Sequence, residues 1–399
     1  MCLIELYEEI FMKIIHICLT GSYNDNWSYQ DNLIPKYHKL DGHDVTVITT
    51  IFINSKENTG YEKVRPGEYY LANGIKVIRI PFKQFKMNIV IKKLRLYQNT
   101  YQKIVGEKPD LIFIHGLQFL DIYQVVNYLR YNRNVKVVVD NHADFSNSAK
   151  NFLSKNILHK IIWRYCAHLI EPYTTKFYGV LPARVEFLKN VYKLPAEKVE
   201  LLVMGADDEQ VRRAKNEEVR KEIRKKYGIK PDDFLIITGG KIDTAKKQTL
   251  LLMEAVKQIE NENVKLIIFG SIISELKKAV NRLVDGNKIQ FIGWIKSDDS
   301  YKYFSAADLV VFPGRHSVFW EQVAGQGIPM VVKYWDGTTH VDLGGNCEFL
   351  YMDSIDEIYN KLVNIINNED KLNKMKYIAE TRGMEYFSYK KISSKAVDL

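Results

Sequence analysis

The residues best suited to chemistry gather in short loops that follow apolar runs. Thr238–Lys247 reads TGGKIDTAKK. Gly239 and Gly240 permit a tight turn, and Lys241, Lys246 and Lys247 supply positive charge. Backbone N–H groups at the start of a following helix would add to that field. The combination favours a diphosphate. The pattern GxxxxGK[ST] is missing, so ATP hydrolysis is not indicated. A solvated lysine cluster is the plain alternative. Pro313–Pro329 (PGRHSVFWEQVAGQGIP) runs from an apolar stretch through a glycine-bearing turn into a helix. Arg315, His316 and Ser317 stand in that turn, where cations suit an anion. Glu321 is either a helix-capping acid or an acceptor for vicinal ribose hydroxyls. Gly337–Gly345 (GTTHVDLGG) is a second glycine-rich loop, with His340 and Asp342.

The first half of the chain carries a different set. Thr20–Gln30 (TGSYNDNWSYQ) follows the first apolar run. Gly21 stands alone, without the GxGxxG spacing of a dinucleotide fingerprint. Asn24, Asn26 and Tyr29 are neutral hydrogen-bonding groups suited to sugar hydroxyls. His115–Gly116 ends one apolar run and Asp140–Asp144 (DNHAD) ends the next. A loop histidine is usually a surface residue, but two at successive strand ends raise the odds of function. His142, flanked by Asn and two Asp, is the better candidate.

These loops need elements that hold them in place. Lys13–Leu19, apolar on both faces, reads as a strand, as do Asp44–Thr50, rich in β-branched residues, Ile75–Ile80, Asp110–His115 and Val135–Asp140. Helical spacing fills Trp27–Asp41, a basic stretch around Val90–Gly106, and Leu120–Tyr131. Strands alternating with helices predict βαβ units and a parallel sheet covered on both faces. The rhythm restarts with strands at Phe234–Thr238, Val264–Phe269, Ile289–Ile292, Leu309–Phe312 and Met330–Lys333. The expected domains are an extension over 1–11, an N-terminal Rossmann-like domain over 12–206, a charged linker or helix over 207–232, and a C-terminal domain over 233–380. A last segment, 381–399, is expected to pack back on the N-terminal domain. Two doubly wound α/β domains facing each other across a cleft would bind ligand at the carboxyl ends of their strands.

Composition bounds the function. The chain has 399 residues, 46% hydrophobic and 26% charged, with net charge +9. That is an ordinary globular balance, and the cationic surplus favours anionic partners. No zinc-finger spacing, RNP motif or basic heptad array points to nucleic acid. Cys2, Cys18, Cys166 and Cys347 are scattered without CxxC spacing, so a disulfide framework or zinc site is not expected. Residues 1–11 carry acids rather than the basic start of a secretion signal, which predicts a cytoplasmic location.

Taken in order, the loop phrases resemble the retaining glycosyltransferases of GT-B fold, family 4 (glycosyl transferases group 1), of the bacterial surface-polysaccharide type. The phrases are the loop after the first strand, LPAEKVELLVMGAD at Leu194–Asp207, GGKID at Gly239–Asp243, FSAADLVVFP at Phe304–Pro313 and WEQVAGQGIP at Trp320–Pro329. The resemblance spans nearly the whole chain from Met12. It implies a nucleoside-diphosphate sugar held mainly by the C-terminal domain, and transfer of its sugar, with retention, to a glycan or lipid-linked acceptor. It matches Lys241 to the first of a diphosphate-binding basic pair, and Lys246 or Lys247 to the second. Gly240, Arg315, His316 and Ser317 fall on the donor side with Gly21. Glu321 matches the ribose-binding glutamate, although Gln326 lengthens the turn that follows. The family's second glutamate, eight residues earlier, is replaced by Pro313. His142 matches the histidine that contacts the donor sugar, which makes His142, Lys241 and Lys246 the expected catalytic groups. Asn24, Asn26, Tyr29 and His115 are expected on the acceptor side.

Positive side chains can stabilise the departing diphosphate, and no DxD-type motif is evident, so no metal or other cofactor is expected. Two alternatives stand beside this reading: a nucleotide-sugar epimerase of the same fold, and a degenerate transferase acting as an assembly subunit. Finally, Phe82–Lys103 mixes Lys83, Lys86, Lys92, Lys93, Arg95 and Lys103 with apolar residues and has no acid. It reads either as an ordinary helix with its apolar face in the core, or as a basic face resting on an anionic membrane surface.

Overall fold

The computed structural model describes residues 11–55, 60–84, 92–244 and 246–399. The chain divides into two compact units, Met1–Leu202 with Ser393–Leu399, and Val203–Ile392. Each is built on a doubly wound sheet.

In the first unit the strands are β1 (Lys13–Cys18), β2 (Asp44–Thr50), β5 (Gly67–Tyr70), β6 (Lys76–Ile80), β7 (Leu111–His115), β8 (Lys136–Asn141), β9 (Lys176–Gly179) and β10 (Val199–Leu201). They pair in the order β10-β9-β8-β7-β1-β2-β6-β5. All pairings are parallel except β5 with β6. A small hairpin, β3 (Phe52–Asn54) with β4 (Tyr61–Lys63), stands apart from the sheet. The central strands are apolar on both faces because both are covered. One face sends Ile15, Ile17, Ile112, Ile114, Val137 and Val139 into the main core with Trp163 and Ile170. The other sends Cys18, Val45, Val47 and Val77 into a smaller one.

The second unit holds β11 (Phe234–Gly239), β12 (Val264–Phe269), β13 (Ile289–Phe291), β14 (Leu309–Phe312), β15 (Met330–Lys333) and β16 (Cys347–Leu350). Their order is β13-β12-β11-β14-β15-β16, all parallel. Its core joins Ile236, Leu266, Ile268, Leu309 and Val311 to helix residues Leu252, Val256 and Leu362.

Several sequence expectations shift. The charged stretch 207–232 lies within the second unit. It forms helices Asp208–Ala214 and Glu217–Lys226, capped by Asp207 and Asn216. Arg220 and Arg224 reach Asp308 at 2.6 and 3.2 Å, and Asp308 in turn accepts from the Leu235 N–H at 2.8 Å. Those bonds tie the helix to the start of the second sheet. Of the C-terminal segment, Ser393–Leu399 belongs to the first unit and the rest to the second. The expected helix Trp27–Asp41 is Gln30–Leu40. The short strands β5, β9, β10 and β16 had no counterpart in the sequence reading. The extension 1–11 lies outside the described residues except for Phe11. Lys86 and its neighbours through Ile91 lie outside them too. Among the described remainder of that basic segment, Lys83 bonds Tyr123, Arg95 donates to the Gln118 carbonyl, and Tyr97 is buried. No helix among the described residues is long and apolar enough to cross a membrane.

Candidate functional site

The second sheet reverses direction at β11. The chain runs outward through β12 and β13, then returns to lay β14 on the other flank. A ligand crevice opens at such a switch point, outside the carboxyl ends of the two diverging strands. Three glycine-bearing turns meet there. Gly240 after β11 and Gly270 after β12 have φ of +123° and +128°. A Cβ on Gly270 would strike the Gly240 carbonyl. Gly314, after β14, approaches so closely that a Cβ would stand 3.3 Å from both Lys246 Cα and Gln248 Oε1. The three loops therefore pack backbone against backbone, as only small residues allow.

Lys246 rises from this floor. Its Nζ lies 3.7 Å from where a Gly240 Cβ would stand. Burial lowers the pKa of its ammonium; Asp243 opposes the shift and the Arg315 guanidinium adds to it. A partly desolvated ammonium that feels a neighbouring guanidinium favours an anion beside it. The helix Gln248–Gln258 begins beside them without a side-chain cap, so its first N–H groups add to the field. Gln248 Oε1 is buried without a hydrogen-bond partner while its Nε2 reaches Asp353 at 3.0 Å. By contrast, Lys241 and Lys247 are exposed.

A second group stands at the start of helix Phe319–Gly325. Glu321 is fully buried, and its Oε1 lies 2.8 Å from His316 Nε2 and 2.9 Å from His340 Nε2. Burial alone would raise this carboxyl. The charges and hydrogen bonds of the two histidines outweigh it and hold the group well below the usual carboxylate range. Glu321 Oε2 and His340 Nδ1 are buried without partners. Ser317 Oγ faces the Phe319 N–H at 3.5 Å.

The first sheet switches between β1 and β7. Thr20 Oγ1 donates to the His115 carbonyl at 3.1 Å across that point. Beneath it runs a line of imidazoles. His38 Nε2 lies 3.0 Å from the Ser393 carbonyl, and His38 Nδ1 lies 3.1 Å from His16 Nε2. His16 Nδ1 lies 3.0 Å from His115 Nε2, and His115 Nδ1 lies 2.8 Å from Asp140 Oδ2. The register explains the alignment. His16 pairs with Phe113, two residues before His115 on the same face, and His115 pairs with Asp140.

The carbonyl at one end can only accept, so His38 Nε2 carries a proton, and each ring in turn donates back along the line. Four links need four protons, and three neutral rings carry three. The fourth belongs to the His115–Asp140 link. Burial would raise the Asp140 carboxyl, but His115 and His142 hold it well below the carboxylate range. Burial, with neighbouring imidazole charge, pushes His16 well down and His38 down to about 3, despite the Ser393 carbonyl. His142 Nε2 lies 3.3 Å from the same Asp140 Oδ2, with 39% of its side chain exposed. Asp31 shares this corner: burial pushes its carboxyl up, against the pull of His115 and His142.

The expected residues thus fall into three places. Gly240, Lys246 and Arg315 come together at the second sheet's switch point, with Lys241 and Lys247 on its exposed rim. His316 and Glu321 bond each other. His115 and His142 meet on Asp140, but His115, read as an acceptor-side group, is 3% exposed with both ring nitrogens engaged. Asn24 spends its side chain on Asn54, accepting from its N–H at 2.8 Å and donating to its carbonyl at 3.1 Å. Gly21, Asn26 and Tyr29 are exposed. The loop they share borders a pocket of about 290 Å³ lined by Asn24, Asp25, Trp27, Tyr69 and Arg79 among others. Sequence reasoning missed His16, His38, Asp31, Gly270 and Gln248. Only His16 left a signal, as an imidazole in the middle of the apolar run Lys13–Leu19.

Residues 219–382 match the family model for glycosyl transferases group 1. That stretch includes every residue of the crevice. The matched stretch lies inside the second unit. An uncharacterized glycosyltransferase from Methanocaldococcus jannaschii is 24% identical over 157 residues, which is 38% of this chain and 40% of that protein. Likeness in structure extends further. The Anabaena protein HepE, solved in complex with UDP, aligns at TM-score 0.66 and 16% identity over 96% of this chain and 98% of that one. A candidate UDP-N-acetylglucosamine 2-epimerase from Listeria monocytogenes aligns at 0.63 and 12% identity over 97% and 95%. At these identities the likeness establishes the fold, two Rossmann-like domains of the GT-B type. The family match lies within the second of them.

Proposed function

We propose that this protein is a retaining family 4 glycosyltransferase that moves a hexosyl group from a nucleoside-diphosphate sugar to a glycan or lipid-linked acceptor in surface-polysaccharide synthesis. The observation that carries the reading is the glycine-floored crevice with Lys246 and Arg315 inside the group 1 domain. A diphosphate seated there relieves the mutual repulsion of the two cations. In the reaction, the bond from the anomeric carbon to the diphosphate breaks and its electron pair leaves on phosphate. The acceptor oxygen bonds to the same carbon from the same face, and its proton passes to the leaving phosphate. Lys246, Arg315 and the first N–H groups of helix Gln248–Gln258 stabilise the charge that develops on the phosphate. Glu321, oriented by His316 and His340, stands on the nucleoside side. His142, backed by Asp140, offers an imidazole to the sugar. Cations and helix dipole supply the electrostatics in this scheme, so it runs without a metal. We place the enzyme in the cytoplasm, at the inner face of the membrane.

The test is release of nucleoside diphosphate from UDP-, GDP- and ADP-sugars, with and without glycan and lipid-diphosphate acceptors. Acceptor-dependent release with one donor supports the proposal. Turnover of the donor sugar to its epimer without acceptor would replace it with the epimerase reading that the Listeria likeness favours. Binding without either reaction would leave an assembly subunit.

A further inference from the structure

Between Asp144 and Glu171 the chain has no acid over Phe145–Ile170, and it places Lys150, Lys155, Lys160 and Arg164 there. Most of this stretch is one helix. Residues 152–153 lead into a π-helical run, Ser154–Trp163, which continues as Arg164–Ile170. Its inner side is an ordinary core face: His159, Trp163, Cys166, Ala167 and Ile170 are buried. His159 is held there by Tyr192 and Ser148, at 2.9 and 2.8 Å.

The outer side is unlike that of a solvated helix. Leu153, Ile157, Ile161 and Tyr165 recur every fourth residue and are 54%, 41%, 61% and 58% exposed, with Phe152 beside them at 78%. Phe145, just upstream, is 48% exposed, with Lys155 Nζ 4.9 Å from its ring centre. Scattered exposed apolar residues are common on protein surfaces, whereas a continuous row of them on one helix marks an interaction site. The cations beside the row, and the absence of any acid along it, define the partner by charge. A helix with an apolar row, aromatic side chains and flanking lysines lies in the headgroup–acyl boundary of an anionic bilayer.

We propose that the exposed face of helix 152–165 is the surface by which this protein docks on anionic lipid. It deepens the proposed function by naming where the inner membrane face is met, and it moves that contact away from the basic segment Phe82–Lys103, where Arg95 and Tyr97 turn inward. Phe152, Leu153, Ile157 and Ile161 enter the interface, while Lys150, Lys155 and Lys160 meet the headgroups.

The test is co-sedimentation of the full chain with vesicles of phosphatidylglycerol and phosphatidylcholine, against phosphatidylcholine alone, at low and high salt. It needs neither donor nor acceptor, so its failure leaves the transferase reading standing, and an inactive enzyme that still binds vesicles leaves this proposal standing. Binding to the anionic vesicles that weakens with salt is expected. Each cation near the surface multiplies partitioning roughly fivefold, so Lys155→Gln/Lys160→Gln lowers it about 25-fold. Phe152→Ser/Ile161→Ser, at exposed positions outside the core, abolishes it at unchanged far-ultraviolet circular dichroism. Slower hydrogen exchange of 152–165 on adding anionic vesicles gives a second readout that needs no variant. Equal binding to both vesicle types, or variants that bind as the parent does, overturns the proposal. So does a parent that binds neither vesicle but forms a dimer that Ile161→Ser disperses; that result would assign the face to a second copy of this chain.

Discussion

Replacing His16 with leucine removes the middle ring of the imidazole line and leaves its neighbours stranded. His38 Nδ1 loses its donor and the His115 Nε2–H loses its acceptor, at side chains 0% and 3% exposed. An unsatisfied buried polar group costs about 1–3 kcal/mol, so two cost about 2–6 kcal/mol. Leucine is more readily buried than an imidazole and recovers part of that against Phe113, which leaves a net loss of about 2–4 kcal/mol. His16→Gln, whose amide both accepts and donates, should recover much of the loss. The assay is hydrogen exchange of the β1 and β7 amides in the full chain, which reads the first unit without assuming that both units unfold together. A pH series supplies the second readout. Folding depresses the pKa of His16 and His38 below the unfolded value near 6.5, so the unfolded state binds more protons in acid. Their contribution is present above about pH 6.5 and is lost as pH falls toward the His38 value of about 3. The parent should lose protection through that window, and His16→Leu should lose less of it. A variant within about 0.5 kcal/mol of the parent, with the same pH slope, would refute the hydrogen-bonded line.

Three further outcomes follow from the second unit. Gly270→Ala forces a Cβ into the Gly240 carbonyl at a φ of +128°, and should lower the melting temperature and weaken nucleotide binding together. Glu321→Gln takes a carboxylate acceptor from two imidazoles and should cost roughly 1.5–3 kcal/mol in urea unfolding of that unit. The depressed Glu321 carboxyl contributes stability above the ordinary carboxylate range and loses it as pH falls below, so the gap between parent and variant should shrink in acid. Incubation with EDTA should leave turnover unchanged, although His316, Glu321 and His340, like His115, Asp140 and His142, bring ligand-capable atoms within 4.8 Å of one another.

The two parallel sheets were legible because buried strands announce themselves as unbroken apolar runs, such as Val264–Phe269 and Leu309–Phe312. Edge strands of three or four residues, such as β10 and β16, carry too few residues for any pattern. The glycine turns at Gly240 and Gly314 were legible as turns. Their mutual contact depends on strand order, which no local pattern encodes. For the same reason the choice between Lys246 and Lys247 stayed open: adjacent residues differ only in which side of the turn they leave. His115 was read as a ligand contact because it ends a strand. Its actual partners, His16 and Asp140, come from strands on either side of β7. The helix over 152–165 passed unread because its apolar residues lie on both its buried and its exposed sides, so no single stripe stands out against a polar face.

The proposed transferase seats its donor's diphosphate beside Lys246. Isothermal titration of UDP, GDP and ADP against the parent, Lys246→Ala and Lys247→Ala tests it most directly. One nucleotide should bind the parent. Lys246→Ala should weaken it by about 1.5–3 kcal/mol, or roughly 10- to 150-fold, through loss of a charge-assisted contact. The exposed Lys247 should change it less than about threefold, as a rim charge does. A parent that binds none of the three, or a Lys246→Ala variant that binds as tightly as the parent, would contradict the account.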